Sequence, residues 1–246
     1  MNKNVSDNID MSSNLVQWNK ISRYSNWMYR SFKKHIGKRV LEIGAGLGRM
    51  AEFYIDDCER VIAIDIFEHQ INYMKNRFKK YNYFDAVVCD VTKDDTSMLI
   101  QEKIDTIICI NVLEHIEDDK KMLQNMKNII CSKGIIILMV PAINNMYCFM
   151  DKNVGHYRRY NKGELKNLAK ECNLEVVENR YFNILGIIPY YLKGKLNKDR
   201  GGSFSSDLND RNSKLYNFAT LIMEPFENLI PPPIGISEFI VLRKVY

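Results

Sequence analysis

The stretch that decides the fold is "VLEIGAGLGRM", residues 40–50. Val40 to Ile43 form a β-branched, apolar run of the kind a buried strand needs, yet the run carries a carboxylate, Glu42. Three glycines follow at alternate positions, Gly44, Gly46 and Gly48. Glycines at a strand-to-helix turn let a ligand approach backbone N–H groups at a helix N-terminus, where the dipole favours negative charge. The dinucleotide fingerprint requires G-x-G-x-x-G, and Arg49 stands where its third glycine belongs. A Walker lysine–serine pair is missing too, so a phosphate cradle is not supported. Glu42 would repel a pyrophosphate and suits a ligand that brings its own ammonium group.

Outward from this turn, short apolar runs alternate with stretches of helical period, the pattern of a parallel sheet with crossover helices. The runs are RVLEIG, RVIAID, DAVVCD, DTIICIN, GIIILMVP, LEVVENRYF and ISEFIVLRK, seven candidate strands. Between them Ile71, Met74 and Phe78 share a helical face, as do Met122, Met126, Ile129 and Ile130, and then Leu165, Leu168, Ala169 and Cys172. Asn161 with Glu164 resembles a capped helix start, and Gly134 is placed as a helix C-cap. Two segments lie outside the alternation: an aromatic helical leader within residues 1–35, and a helical insertion over 184–233 with a Gly/Ser-rich loop and a helix interrupted or bent at Pro225. The main α/β domain is then residues 36–183 and 234–246. There are no internal repeats.

With 246 residues and 46% hydrophobic content, the chain is long enough to bury roughly three quarters of its unfolded surface in one core. The polar first fifteen residues lack the centre of a signal peptide, and no run approaches a membrane span, which predicts a cytoplasmic protein. Six cysteines are scattered singly, so neither a disulfide framework nor a zinc site is indicated and no metal is expected. A net charge of +5 without basic runs interleaved with aromatics gives no reason to expect nucleic acid as a partner.

The order of motifs resembles the class I S-adenosylmethionine-dependent methyltransferases, from about residue 23 to 244. Besides the E-x-G-x-G-x-G turn, the second strand ends in Asp65 (VIAIDIF), the third in Asp90 (VVCDVT), and the fourth runs into DTIICINVLEHIEDD. The resemblance implies a Rossmann-like, seven-stranded, mostly parallel sheet with an antiparallel last strand and helices on both faces. It implies S-adenosyl-L-methionine as cofactor, with the turn (Gly44, Ala45, Gly46) at its methionine part, Glu42 at its amino group, Asp65 and Ile66 at the ribose, Asp90 and Val91 at the adenine, and Asn111 at the end of the fourth strand. Carboxylates at the C-terminal edge of an open sheet independently suit a cationic sulfonium. The GHYRRY segment, with Asp151, Gly155, His156, Arg158, Arg159 and Tyr160, is similar to that of a bacterial subgroup whose members accompany glycosyltransferases or cell-envelope enzymes.

On the acceptor side the residues leave alternatives. His115 is a catalytic candidate or simply part of a helix start with Glu117, Asp118 and Asp119; His156 is a second candidate or a loop-packing histidine. Arg158, Tyr157 and Tyr160 are candidates for holding an anionic acceptor, with one of the two arginines expected to anchor its loop to an acid. Arg23 and Tyr24 of the leader are candidate cofactor contacts, and its aromatic residues Trp18, Tyr24, Trp27 and Tyr29 either form a lid or pack in the core. The apolar insertion, with Lys193, Lys195, Lys198 and Arg200, packs in the core, forms a dimer contact or rests on an anionic bilayer. Acceptors of small-molecule, sugar or lipid-linked type are expected, with the protein a monomer or homodimer. An aminopropyl transferase shares the fold but generally needs a catalytic aspartate where INVLEHIED stands; a non-catalytic cofactor-binding scaffold is the other alternative.

Overall fold

A computed structural model describes residues 22–196 and 210–245. Its strands are β1 (Arg39–Ile43), β2 (Arg60–Asp65), β3 (Phe84–Val88), β4 (Thr106–Ile110), β5 (Ile135–Pro141), β6 (Leu174–Phe182) and β7 (Ser237–Lys244). They form one sheet in the order β3-β2-β1-β4-β5-β7-β6, parallel except for β7, which runs antiparallel between β5 and β6. The helices are α1 (Ser22–Phe32), α2 (Ala51–Tyr54), α3 (Glu68–Arg77), α4 (Ser97–Gln101), α5 (Asp119–Ile129), α6 (Phe149–Asn153), α7 (Glu164–Glu171), α8 (Ile187–Leu196) and α9 (Asp210–Leu229).

The strands read as continuous apolar runs because both faces of the sheet are covered. Side chains alternate between the faces with the two-residue period of a strand. Val40, Val61, Ala63, Ile108, Ile137 and Phe239 join one core, where α1 docks through Trp27 and Phe32. Leu41, Ile62, Ile64, Ile107, Ile136 and Ile240 join the other, closed by Met122, Met126 and Ile129 of α5 and Leu165 and Ala169 of α7. Each helical face read from the sequence therefore meets the sheet. Cys58, Cys109 and Cys172 are buried, and all six cysteines are free thiols.

The strand order reverses direction between β1 and β4: β1 pairs with β2 on one side and with β4 on the other, both parallel. That crevice at the carboxyl ends of the strands is where open α/β sheets take ligands.

Two local expectations, at Gly134 and Asn161, are corrected, and two alternatives left open are decided. Gly134 is not a C-cap: α5 ends at Ile129 with Ile130 as its cap, and the left-handed residue of the turn is Lys133. Asn161 does take a back-bond from its N–H to Glu164 Oε2 at 2.8 Å, but α7 starts at Glu164, preceded by Gly163 at φ 96°. α9 continues through Pro225 instead of being interrupted. The aromatic residues of α1 that are described, Tyr24, Trp27 and Tyr29, are buried core residues and not a separate cover; Trp27 packs 4.2 Å from the Phe182 ring and Tyr29 stacks on Phe53. Trp18, Lys198 and Arg200 lie outside the described residues, and no described helix is long and apolar enough to cross a membrane.

Candidate active site

The alternate glycines answer to backbone conformation. Gly44, Gly46 and Gly48 all have positive φ, at 68°, 58° and 71°, which L side chains adopt only with strain. As β1 ends, the N–H groups of Gly44 and Ala45 both donate to Ile64 O of β2, and Gly46 N–H donates to Asp65 Oδ2 at 2.9 Å. The turn is thereby tied to the neighbouring strand. A Cβ on Gly44 would run into Val112 Cγ2, and one on Gly48 would stand 2.5 Å from Phe78 Cε2. The helix that follows, α2, is only four residues long, so the helix dipole expected at this turn is slight; the turn's own N–H groups supply its polarity.

Glu42, on β1, is buried, and burial pushes its carboxyl up to about 7 despite the hydrogen bond it accepts from Tyr54 Oη at 2.5 Å. A cationic ligand group beside it would lower that cost. Asp65 ends β2 with both oxygens engaged: Oδ2 takes Gly46 N–H and Oδ1 takes Phe67 N–H at 3.1 Å, and burial raises its pKa. Gln70, with its amide oriented to donate, approaches both oxygens as well. Beside it Ile66 is 58% exposed, an apolar side chain left open at the crevice. Asn111 follows β4 in a left-handed conformation (φ 53°), exposed, with its N–H on Met139 O.

Other predicted cofactor residues sit differently. Asp90 is occupied by its own turn: Oδ1 accepts from Thr92 N–H and Oγ1 and Oδ2 pairs with Lys93, and although burial acts upward, these donors hold its pKa down. The Val91 side chain belongs to the core, while its carbonyl accepts from Asn125 Nδ2. Arg23 is exposed and lines a groove of about 760 Å³ with Arg30, Arg49, Arg77, Glu52 and Glu224. Tyr24 is not on that groove's wall; it is buried against Trp27 and Phe182, and burial pushes its hydroxyl up to about 12. Arg49 Nε donates to Ser25 Oγ at 2.6 Å and so fastens α1 to the glycine turn.

Beyond Val112, two loops close on each other. Tyr157 N–H donates to Glu114 O at 2.8 Å, and the rings of His115 and His156 meet edge to face at 4.6 Å. Burial and the neighbouring His156 hold His115 down at about 4, so its imidazole is neutral. His156 Nδ1 lies 2.9 Å from Asp151 Oδ1. Asp151, fully buried, also accepts from Arg159 Nε at 2.9 Å, Tyr190 Oη at 2.8 Å and Cys148 N–H at 2.9 Å. Burial acts upward on Asp151, but these donors and the Arg159 charge keep it ionised.

Of the arginine pair, Arg159 is the buried anchor, set on Asp151 and not on Glu164. Arg158 pairs with Asp119 at 2.9 Å and donates to Glu117 O, so it too is engaged within the protein. Tyr160 is a core residue whose Oη donates to Asp119 Oδ2 at 2.9 Å; it faces inward and is not placed to touch an acceptor. Tyr157 is exposed at the loop. Among the acids of EHIEDD, Asp118 caps α5 by accepting from Lys121 N–H, as a helix start requires. Sequence reasoning missed Tyr54, the burial of Glu114 and the hub role of Asp151. Only Asp151 left a signal, its spacing within D-x-x-x-G-H-x-R-R-Y.

A family model described as "Methyltransferase domain" matches residues 20–179, more than half of the chain, and the chain belongs to that family. Among its relatives, the "Probable S-adenosylmethionine-dependent methyltransferase" of Mycolicibacterium smegmatis is 24% identical over 68% of this chain and 62% of that protein. The chain thus spans somewhat less than two thirds of that relative's length. The ubiquinone biosynthesis O-methyltransferase of Rickettsia bellii is 23% identical over 62% of this chain and 70% of that protein. In solved structures, the N-methyltransferase NodS of Bradyrhizobium japonicum, in complex with S-adenosyl-L-homocysteine, superposes with a TM-score of 0.55 at 16% identity, over 91% of this chain and 86% of NodS. At that identity the likeness shows the fold. The chain carries an S-adenosylmethionine-dependent methyltransferase domain.

Proposed function

We propose that the protein transfers the methyl group of S-adenosylmethionine to an oxygen of a small-molecule or glycan-type acceptor that is presented at a lipid surface. When bound, the cofactor supplies a methyl carbon activated by sulfonium. On this reading Glu42 faces the cofactor's ammonium, the Gly44–Gly46 backbone borders its methionine part, Asp65 turns to accept from the ribose hydroxyls, and Ile66 covers the adenine. Glu42 fits this role because a buried carboxyl with a raised pKa is relieved by a cation. His115 and His156 border the acceptor. Methyl transfer in line draws much of its rate from orientation and exclusion of water, which two loops locked together can supply.

The observation that carries the reading is the contact of Gly44 with Val112, which brings the cofactor turn within three residues of the His115 and His156 pair. Oxygen as the atom methylated is supported by the name of the Rickettsia relative, a ubiquinone biosynthesis O-methyltransferase. The lipid surface is supported by α9, whose polarity is inverted. Among its described side chains Thr220, Glu224 and Glu227 are the buried ones, with Glu227 accepting the N–H groups of Asn183 and Ile184 and Glu224 pairing with Arg30. Phe218, Leu221, Ile222 and Phe226 point outward and are exposed, as is Ile188 of α8. An outward apolar face of this kind marks an interaction surface. A place beside glycosyltransferase or envelope enzymes, as in the GHYRRY subgroup, agrees with such an acceptor.

The test is incubation with methyl-labelled cofactor and fractionated metabolites, sugars and lipid-linked intermediates, followed by mass spectrometry. Label on an acceptor oxygen supports the reading. Cofactor binding with no label in any fraction supports a non-catalytic scaffold instead.

A further inference from the structure

Three donors from two separate loops meet beyond the glycine turn. Glu114 and His115 lie in the turn after β4, and His156 follows α6; one ligand atom from each lies within 4.8 Å of the others. Glu114 is 1% exposed, and its Oε2 has no hydrogen-bond partner. Its Oε1 stands 3.8 Å from His156 Nε2, beyond hydrogen-bond range. A buried carboxyl oxygen with no donor facing it is costly, and a bound cation relieves that cost. The neighbouring Arg159 does not fill that role directly, since its Nε and Nη1 are committed to Asp151 and to Ala142 O.

The two imidazoles are prepared in the manner of ligands. Asp151 Oδ1 accepts from His156 Nδ1, which fixes the proton on that nitrogen and turns the lone pair of Nε2 toward Glu114. A carboxylate behind a histidine is the usual support of a metal-bound imidazole. The Gly155 backbone engages the His115 ring and holds it in place. Gly155, at φ 83°, lets the loop pass this close to His115. Two donors on one tetrahedral ion about 2.1 Å away stand roughly 3.4 Å apart, so a pair as far apart as 4.8 Å has to close by about 1.4 Å.

We propose that Glu114, His115 and His156 bind one divalent transition-metal ion through a carboxylate oxygen and two imidazole nitrogens, with its remaining positions open to the acceptor's oxygen. Two imidazoles favour Zn2+, Fe2+, Co2+ or Mn2+ over the all-oxygen preference of Ca2+ and Mg2+. The expectation of no metal came from counting cysteines; the donor set here has none. The metal site stands on its own geometry, whereas the role toward the acceptor rests on the methyl-transfer reading.

The probe is Co2+, Mn2+ or Zn2+ added singly to full-length, chelator-treated protein, read by calorimetry and, for Co2+, by its visible spectrum. One equivalent is expected to bind. Glu114→Gln and His156→Gln, each checked for folding by circular dichroism, are expected to lose at least tenfold in affinity. His35→Gln, remote from the cluster, is expected to retain it. Failure of all three ions to bind at about 1 mM overturns the proposal, as does binding that Glu114→Gln and His156→Gln leave unchanged. If a variant does not fold, Co2+ spectra of the wild type decide: bands of a nitrogen- and oxygen-ligated ion uphold the site, and those of free aqueous Co2+ overturn it. Cofactor binding is titrated separately. Metal binding without S-adenosylmethionine binding upholds the site and sinks the methyl-transfer reading, and the reverse result does the opposite.

Discussion

Replacing Glu42 by Gln should move stability and cofactor affinity in opposite directions. Burial holds the Glu42 carboxyl at about 7, against an ordinary 4.5. The unfolded chain gives up this proton near the ordinary value, whereas the folded apo protein keeps it until about 7. The stability tied to this group is therefore full below the unfolded pKa and is lost as pH rises through the folded one. At 1.36 kcal/mol per unit, the loss amounts to about 3 kcal/mol. Glu42→Gln keeps the shape and still accepts from Tyr54 Oη, but it has no charge to bury. At about pH 8 the apo variant should exceed the wild type in stability by up to about 3 kcal/mol, with the difference vanishing near pH 4. Cofactor binding should change the other way, because a hydrogen bond to an ammonium is worth about 1.5–3 kcal/mol, or roughly 10–100-fold in affinity. Wild-type affinity should rise as pH passes through about 7 and the variant's should stay flat. Urea unfolding of the apo proteins across this range and calorimetry with S-adenosylhomocysteine read both effects. A variant that is no more stable at high pH, or that binds as tightly as the wild type there, would refute the reasoning.

Gly46→Ala forces a side chain into a left-handed position (φ 58°) and should destabilise the protein by about 1–2 kcal/mol in urea melts while weakening cofactor binding. Arg159→Met leaves the buried Asp151 without its guanidinium and should cost about 3–5 kcal/mol, measured by denaturation; an unchanged midpoint would show that the other donors suffice. Phe226→Asp on the outward face of α9 should abolish co-flotation with anionic liposomes while leaving cofactor affinity as it was, and equal flotation of wild type and variant would remove the lipid-surface reading.

The sheet was legible in the sequence because its strands are buried on both faces, so each announces itself as an apolar run such as GIIILMVP. The glycine turn was legible for a local reason as well: three positive-φ positions in a row of five admit few residues but glycine. What escaped was pairing across distance. Tyr54 reaches Glu42 from twelve residues on, and Arg158 and Tyr160 meet Asp119 from about forty, so nothing local marks Tyr160 as an inward-facing support. The Gly134 misreading has a local cause: a glycine after an amphipathic helix is the usual C-cap signal, but here the chain first makes a four-residue turn and uses Lys133 in its place. Nothing in the sequence sets Glu114 apart from the acids after it, Asp118 and Asp119, and only the folded loops reveal its burial.

The central claim is that the carboxyl ends of β1 and β2, with the glycine turn between them, hold S-adenosylmethionine. Calorimetric titration of wild type and Asp65→Ala with S-adenosylmethionine tests it most directly, with circular dichroism confirming that the variant folds. One cofactor per chain for the wild type, and affinity reduced at least tenfold in the folded variant, is the predicted result. Equal affinity in both proteins, or no binding by the wild type, would contradict it.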